Sequence, residues 1–118
     1  MISESIRRFI LTSIESVPHL EAILLMHQKP QKGWDAKTIA QSLFINEKNA
    51  EKVLTDLCAS KIIDQQGTSY VYAPSITGLK EKIDALADVY SKNLIEVTNL
   101  IHSKTDKQAQ QFGEGFKW

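Results

Sequence analysis

The part of the chain that decides the fold runs from residue 34 to residue 63 and reads WDAKTIAQSLFINEKNAEKVLTDLCASKII. Apolar residues recur in it every three or four positions, first over residues 36–43 and again over residues 50–57. This spacing predicts two amphipathic helices. Asp35 and Asn46 precede them as N-cap residues, because their side chains accept hydrogen bonds from the first N–H groups of a helix. The stretch therefore predicts two short helices joined by a tight turn.

Two apolar residues make that turn possible. Ala40 is small enough to let the two helices approach closely, and Ile45 fills the angle between them. After the helix pair, the β-favouring segments 62–64 and 70–73 flank a polar stretch that contains Gly67. Such a pattern predicts an antiparallel hairpin, with its turn over residues 65–69. A helix, a short turn, a helix and a hairpin in this order make the winged helix-turn-helix arrangement.

Helical patterns flank this core on both sides. Residues 3–14 predict an amphipathic helix, and Ser16 caps a second helix that ends near His27. A stripe of apolar residues at helical spacing predicts one long helix over residues 77–103. We therefore expect a mainly α-helical fold with a small β-hairpin, a winged helix-turn-helix followed by a long C-terminal helix.

The length of 118 residues is enough for one domain. We expect a single winged-helix domain over residues 1–103 with its core at 17–75, followed by a polar tail at 104–118. The apolar residues of that tail are Phe112, Phe116 and Trp118.

Composition excludes several classes of protein. The 14 basic and 14 acidic residues give a net charge of zero, which excludes a polycation and an acidic tail protein. Cys58 is the only cysteine, so an intrachain disulfide and a multi-thiolate zinc site are excluded. The longest purely apolar run, residues 22–26, falls far short of the roughly 20 residues that a membrane span needs. We expect a soluble cytoplasmic protein that does not bind a membrane.

The ordered residues from Trp34 to Leu57, followed by the hairpin, resemble the small bacterial winged-helix transcription regulators of the MarR-like type. The resemblance covers about residues 17–73 and implies a DNA-binding homodimer whose terminal helices form the interface. Two features depart from that family. The chain is shorter than its typical members, and residues 62–79 contain no Lys or Arg where such proteins usually insert a basic residue into the minor groove.

In this arrangement the second helix of the pair enters the major groove of DNA. We therefore predict that residues 46–60 form a recognition helix for sequence-specific binding of double-stranded DNA. At 100° per residue, the face opposite the apolar stripe is polar. Its lysines suit guanine or phosphate, and Asn49 suits adenine. The predicted DNA contacts are Lys48, Asn49, Lys52 and Thr55 on this helix and Lys37, Thr38 and Gln41 on the preceding one.

The apolar stripe of the long helix is wider than an intramolecular contact requires, since Ala87, Ile95 and Leu100 form a second line beside it. We therefore predict a homodimer built by the first and the last helix. The predicted interface residues are Ile6, Phe9, Ile10, Leu86, Tyr90, Leu94, Val97 and Ile101.

Two other functions stay open. The neutral charge and the uncharged hairpin also fit a winged-helix module that binds a protein partner and no DNA. Glu47, Glu51 and Asp56 lie close to the predicted contact face, as they would on a plain solvated helix. A ligand pocket between the long helix and the winged core is a third alternative.

No sequence pattern is typical of catalysis, because a Ser, His and Asp set, a phosphate loop and an HExxH run are all missing. His19, His27 and His102 are not at metal-ligand spacing. We therefore predict a protein that is not an enzyme and uses no metal or other cofactor. Cys58 and Trp34 are expected to be structural residues.

Overall fold

The computed structural model describes residues 2–103, which form six helices and one two-stranded sheet. The protein is mainly α-helical with a small antiparallel sheet, as the sequence predicts. The elements are α1 (Glu4–Ser13), α2 (Val17–Gln28), α3 (Ala36–Leu43), α4 (Glu47–Ala59), β1 (Ile63–Gln66), β2 (Ser69–Tyr72), α5 (Leu79–Lys92) and a further helix over residues 94–103, here α6. The predicted tail at 104–118, with Phe112, Phe116 and Trp118, lies outside the described residues.

Helices α1 to α4 each begin at a side-chain cap. Ser3, Ser16, Asp35 and Asn46 accept a hydrogen bond from the backbone N–H three residues further on. Asp35 and Thr38 form a reciprocal capping box, which satisfies two backbone donors at the start of α3. The predictions that Ser16, Asp35 and Asn46 are N-cap residues are confirmed.

A three-residue turn joins α3 to α4. Phe44 ends α3 in the left-handed region at φ 57°, a conformation that few residues other than glycine adopt. The N–H of Ile45 then bonds to the carbonyl of Ala40 at 3.1 Å and closes the turn. Ala40 is buried and Ile45 packs against the core. This tight turn directs the apolar face of α4 towards α2 and α3.

The sheet is a short hairpin that also holds the start of α3. β1 and β2 pair from Ile63 with Tyr72 to Gln66 with Ser69, which leaves a two-residue turn at Gly67–Thr68. The predicted turn over 65–69 is thus too long, since three of its five residues lie in the strands. Backbone hydrogen bonds of 2.9 and 2.6 Å tie Trp34 to Tyr70 in an isolated bridge.

The prediction of one long helix over residues 77–103 is wrong. Gly78 takes the left-handed conformation, so α5 begins at Leu79, and α5 ends before Asn93, whose φ is −134°. An unbroken helix over this range would be about 40 Å long. The separate helix α6, which follows the break, buries Val97 and Ile101 at 0% and 1% exposure.

Apolar side chains from all six helices and from β1 form one core. Trp34 is 3% exposed within it, as expected for a structural residue. Among the described residues, His19 is the only polar residue that is buried.

Candidate nucleic-acid interface

Helix α4 has one buried and one exposed face. Ala50, Val53, Leu54 and Leu57 are buried. The four residues predicted to contact DNA on this helix are all exposed: Lys48, Asn49, Lys52 and Thr55. Their exposure satisfies the first geometric condition for a contact surface.

Helix α3 presents two of its three predicted residues in the same way. Lys37 and Gln41 are exposed. Thr38 is half-buried, and its hydroxyl accepts from the N–H of Asp35 and donates to the carbonyl of Asp35, both at 3.0 Å. The hydroxyl of Thr38 is thus engaged in capping α3, and a DNA contact would compete with the cap.

The two lysines of α4 differ in their surroundings. The ammonium group of Lys52 lies 2.8 Å from a carboxylate oxygen of Asp56 and 3.7 Å from one of Glu15. The hydrogen bond with Asp56 raises the pKa of Lys52, and the charges of Asp56 and Glu15 add to that effect. Lys48 makes no ion pair within residues 2–103. Lys48 therefore has no ion-pair partner among the described residues, whereas Lys52 is held by two carboxylates.

His19 is buried next to the ion pairs of Lys52, and its sequence context did not predict a functional role in any site. Nε2 of His19 lies 2.8 Å from Oδ2 of Asp56 and 3.3 Å from Oε2 of Glu15, and Nδ1 lies 2.6 Å from the hydroxyl of Ser16. The bonds from Lys52 and then His19 lower the pKa of Asp56. The sequence contained two signals of this cluster. Glu15 and His19 are four residues apart, and so are Lys52 and Asp56. Nothing local indicated that the two pairs meet.

A second cluster repeats this arrangement on the opposite end of α2. Nε2 of His27 lies 2.7 Å from Oδ1 of Asp84, and Lys80 bonds to the same carboxylate at 2.9 Å. Each cluster joins a histidine of α2 to an aspartate that has a lysine one helical turn before it. The second cluster has Ile23 at the position that corresponds to Glu15.

The hairpin adds no positive charge to the surface. Its exposed residues at the tip are Asp64, Gln65, Gln66, Gly67 and Thr68. Tyr70 and Tyr72 are half-buried and pack against the core, and burial raises the pKa of Tyr72 to about 12. The hairpin thus offers polar, mostly uncharged groups to a partner.

Cys58 lies on α4 and is half-buried. Burial raises the pKa of its thiol, an effect that the charge of Asp64 reinforces and that of Lys61 partly offsets. A raised pKa disfavours the thiolate and hence reactivity.

Most of the predicted dimer residues lie inside the protomer. Six of them are at most 6% exposed: Ile6, Phe9, Ile10, Leu86, Val97 and Ile101. Their own chain covers them, so a partner cannot reach them in this conformation. Tyr90 is half-buried, and Leu94 is 51% exposed beside Ile95, which is 74% exposed. Among the predicted interface residues, Leu94 at the start of α6 is thus the most accessible one.

No protein-family model matches the chain, and neither a curated protein nor a solved structure is significantly similar to it. No single helix within residues 2–103 is long and apolar enough to cross a membrane. Helices α1 and α2 together reach the required length and composition, but they are bent by 113° where they meet.

Proposed function

We propose that the protein is a winged-helix transcription regulator that binds double-stranded DNA sequence-specifically as a homodimer, with α4 in the major groove. The observation that carries the proposal is the exposed polar face of α4, with Lys48, Asn49, Lys52 and Thr55 opposite the buried face. The element order supports it, because a tight helix pair followed by a hairpin is the winged helix-turn-helix order. Lysines reach phosphate or guanine, and asparagine pairs with adenine.

The test is a titration of a labelled mixed-sequence duplex, long enough for two half-sites one helical turn apart, at several salt concentrations. Binding should weaken steeply with salt, because neutralised phosphates release their counterions. Replacing both Lys48 and Lys52 with alanine should abolish retardation at moderate salt and reduce the salt slope by about 1 for the unpaired Lys48, and by up to about 2 where DNA draws Lys52 away from Asp56 and Glu15. Selection from a random-sequence duplex pool then tests sequence specificity.

The matched control is the double replacement of Lys82 and Lys92 with alanine on α5. Lys92 pairs with an aspartate four residues away, like Lys52, and Lys82 makes no ion pair within residues 2–103, like Lys48. The control removes the same charge from another surface. Equal losses in both double variants would mean non-specific attraction and would overturn the assignment to α4.

A second function is supported by a different observation. Phe44 is 96% exposed in the turn between α3 and α4, next to the predicted contact face. Together with the zero net charge, this fits a winged-helix module that binds a protein partner. If the chain fails to bind duplex even at low salt, and the random-sequence pool yields no enriched site, the protein-binding function is favoured.

A further inference from the structure

We propose that Glu15, His19 and Asp56 form a binding site for a divalent transition-metal ion such as Zn²⁺, and that the ion takes the place of the Lys52 ammonium group. The three side chains come from different parts of the fold: the segment between α1 and α2, the first turn of α2, and α4. Their ligand atoms all lie within 4.8 Å of one another.

The three ligand atoms and the distances between them suit an ion of intermediate softness, such as Zn²⁺. One imidazole nitrogen and two carboxylate oxygens are ligands that Zn²⁺ accepts at about 2.0–2.2 Å, with a water in the fourth position. Such bonds place tetrahedral ligand atoms roughly 3.3 Å apart. His19 and Glu15 are already at 3.3 Å, and His19 and Asp56, now hydrogen-bonded at 2.8 Å, need to separate by only a fraction of an ångström.

The imidazole of His19 is held in position for this role. Its side chain is 8% exposed, and Nε2 points at both carboxylates. Ser16 contacts Nδ1 at 2.6 Å. In the tautomer that coordinates a metal through Nε2, the proton lies on Nδ1 and is donated to the Ser16 hydroxyl, which is how outer-shell partners orient metal-bound histidines. A cavity of about 350 Å³ beside the cluster, lined also by Thr12, Ser13 and Ser60, leaves room for the water ligand.

A cation already contacts both proposed carboxylate ligands. The Lys52 ammonium group lies between the carboxylates of Asp56 and Glu15, at 2.8 and 3.7 Å. Since the Lys52 side chain is 67% exposed and flexible, it can swing into solvent when a divalent ion neutralises both carboxylates. The ion then replaces a single positive charge by a double one beside two negative charges.

The cluster at the other end of α2 lacks one of the three proposed metal ligands. His27, Asp84 and Lys80 reproduce the histidine–aspartate–lysine contacts without a second carboxylate. The second cluster therefore serves as an internal reference, because it differs from the His19 cluster by the carboxylate of Glu15. Glu15 supplies the third ligand at the His19 cluster.

The experiment is a calorimetric titration of the full chain with Zn²⁺, together with the visible absorption of Co²⁺ as a geometry-sensitive probe. We expect one ion per chain. Glu15→Gln, a change at a residue that is 59% exposed, and Asp56→Asn should each weaken binding by at least the roughly 10–100-fold that loss of an outer-shell partner causes, because both carboxylates bind the ion directly. Asp84→Asn, the same change at the second cluster, should leave binding unchanged. Circular dichroism of each variant reports whether the fold is intact.

Lys52→Met separates a metal site from an ordinary ion-pair network. Removing the ammonium group should tighten Zn²⁺ binding, because the ion no longer displaces a competing cation. Three results would overturn the proposal: no Zn²⁺ binding by the unmodified chain, binding that survives both Glu15→Gln and Asp56→Asn, or binding that Lys52→Met weakens or leaves unchanged.

One consequence rests on the proposed function. A metal ion that releases Lys52 makes a second lysine of α4 available to phosphate, so Zn²⁺ should strengthen duplex binding by the unmodified chain and not by Lys52→Met. The calorimetric test needs no DNA, so failure of the metal site and failure of DNA binding are distinguishable.

Discussion

His27 and Asp84 form a contact between α2 and α5, with Nε2 of the histidine 2.7 Å from Oδ1 of the aspartate. Hydrogen bonds from Lys80 and then from His27 hold the pKa of Asp84 below its ordinary value of 3.8. Because the folded pKa is lower than the unfolded one, the contact stabilises the fold above that ordinary value, and the stabilisation is lost as the pH falls through the folded pKa.

Asp84→Asn should therefore reduce the free energy of unfolding at neutral pH and have little effect in acid. Urea unfolding of both proteins at several pH values measures this, and the difference should close below the ordinary carboxyl pKa of 3.8. A difference that stays constant over the whole pH range would contradict the ionic nature of the contact.

Asn46 caps α4 through its side-chain oxygen, which accepts from the N–H of Asn49 at 2.7 Å. Asn46→Ala should cost about 1 kcal/mol of unfolding free energy, because the first turn loses an acceptor. Asn49→Ala is the matched control, since Asn49 is exposed and contributes only its backbone N–H to the cap. Equal destabilisation of the two variants in urea would argue against the cap.

Phe44 and Phe9 should respond in opposite ways to truncation. Phe44 is 96% exposed and holds a left-handed conformation that costs an L-residue roughly 1–2 kcal/mol, so Phe44→Gly should raise stability by up to about 1 kcal/mol after the entropy cost of glycine. Phe9 is 6% exposed, and Phe9→Ala should cost about 3–5 kcal/mol. Thermal unfolding of the two variants compares them directly, and a large loss in Phe44→Gly would refute the exposed placement.

Glu15 competes with DNA for Lys52 if the proposed function is correct. In metal-free buffer, Glu15→Gln should strengthen duplex binding and make the salt slope steeper by up to about 1, the contribution of one additional phosphate contact. Glu4→Gln is the control, because Glu4 belongs to an exposed ion pair on α1, with Arg8 at 3.9 Å. A general effect of added positive charge would strengthen binding equally in both variants.

The predicted homodimer depends on the accessible apolar residues of α6. Replacing Leu94 and Ile95 with lysine should convert a dimer into a monomer in light scattering while circular dichroism shows that the protomer keeps its helices, since both residues are exposed. A wild-type chain that is monomeric at all concentrations would rule out the homodimer.

The helix pair and the hairpin were predictable because their signals are local. The polar residue before each apolar stripe marks an N-cap, as Asp35 and Asn46 do, and the glycine in a short polar stretch marks the hairpin turn. The break at Asn93 was not predictable in this way, because the apolar spacing continues through it. The backbone of Asn93 leaves the helical conformation, and the buried Val97 and Ile101 belong to the separate helix α6.

Helical periodicity predicted which face of α4 is exposed, but it did not predict the ion pairs on that face. The position of Lys52 on α4 fits both a DNA contact and the bond with Asp56, four residues further on. The sequence alone does not show which of the two contacts forms. The third participant, Glu15, and the buried His19 come from the junction of α1 and α2. Their approach to α4 depends on how α2 packs, which is a tertiary property.

The bridge between Trp34 and Tyr70 closes a long loop of backbone with two hydrogen bonds and no covalent link. An isolated two-stranded hairpin is marginally stable in water. The hairpin therefore depends on its packing against α4 and α2. The amide protons of Trp34 and Tyr70 should exchange with solvent only in the same cooperative opening event.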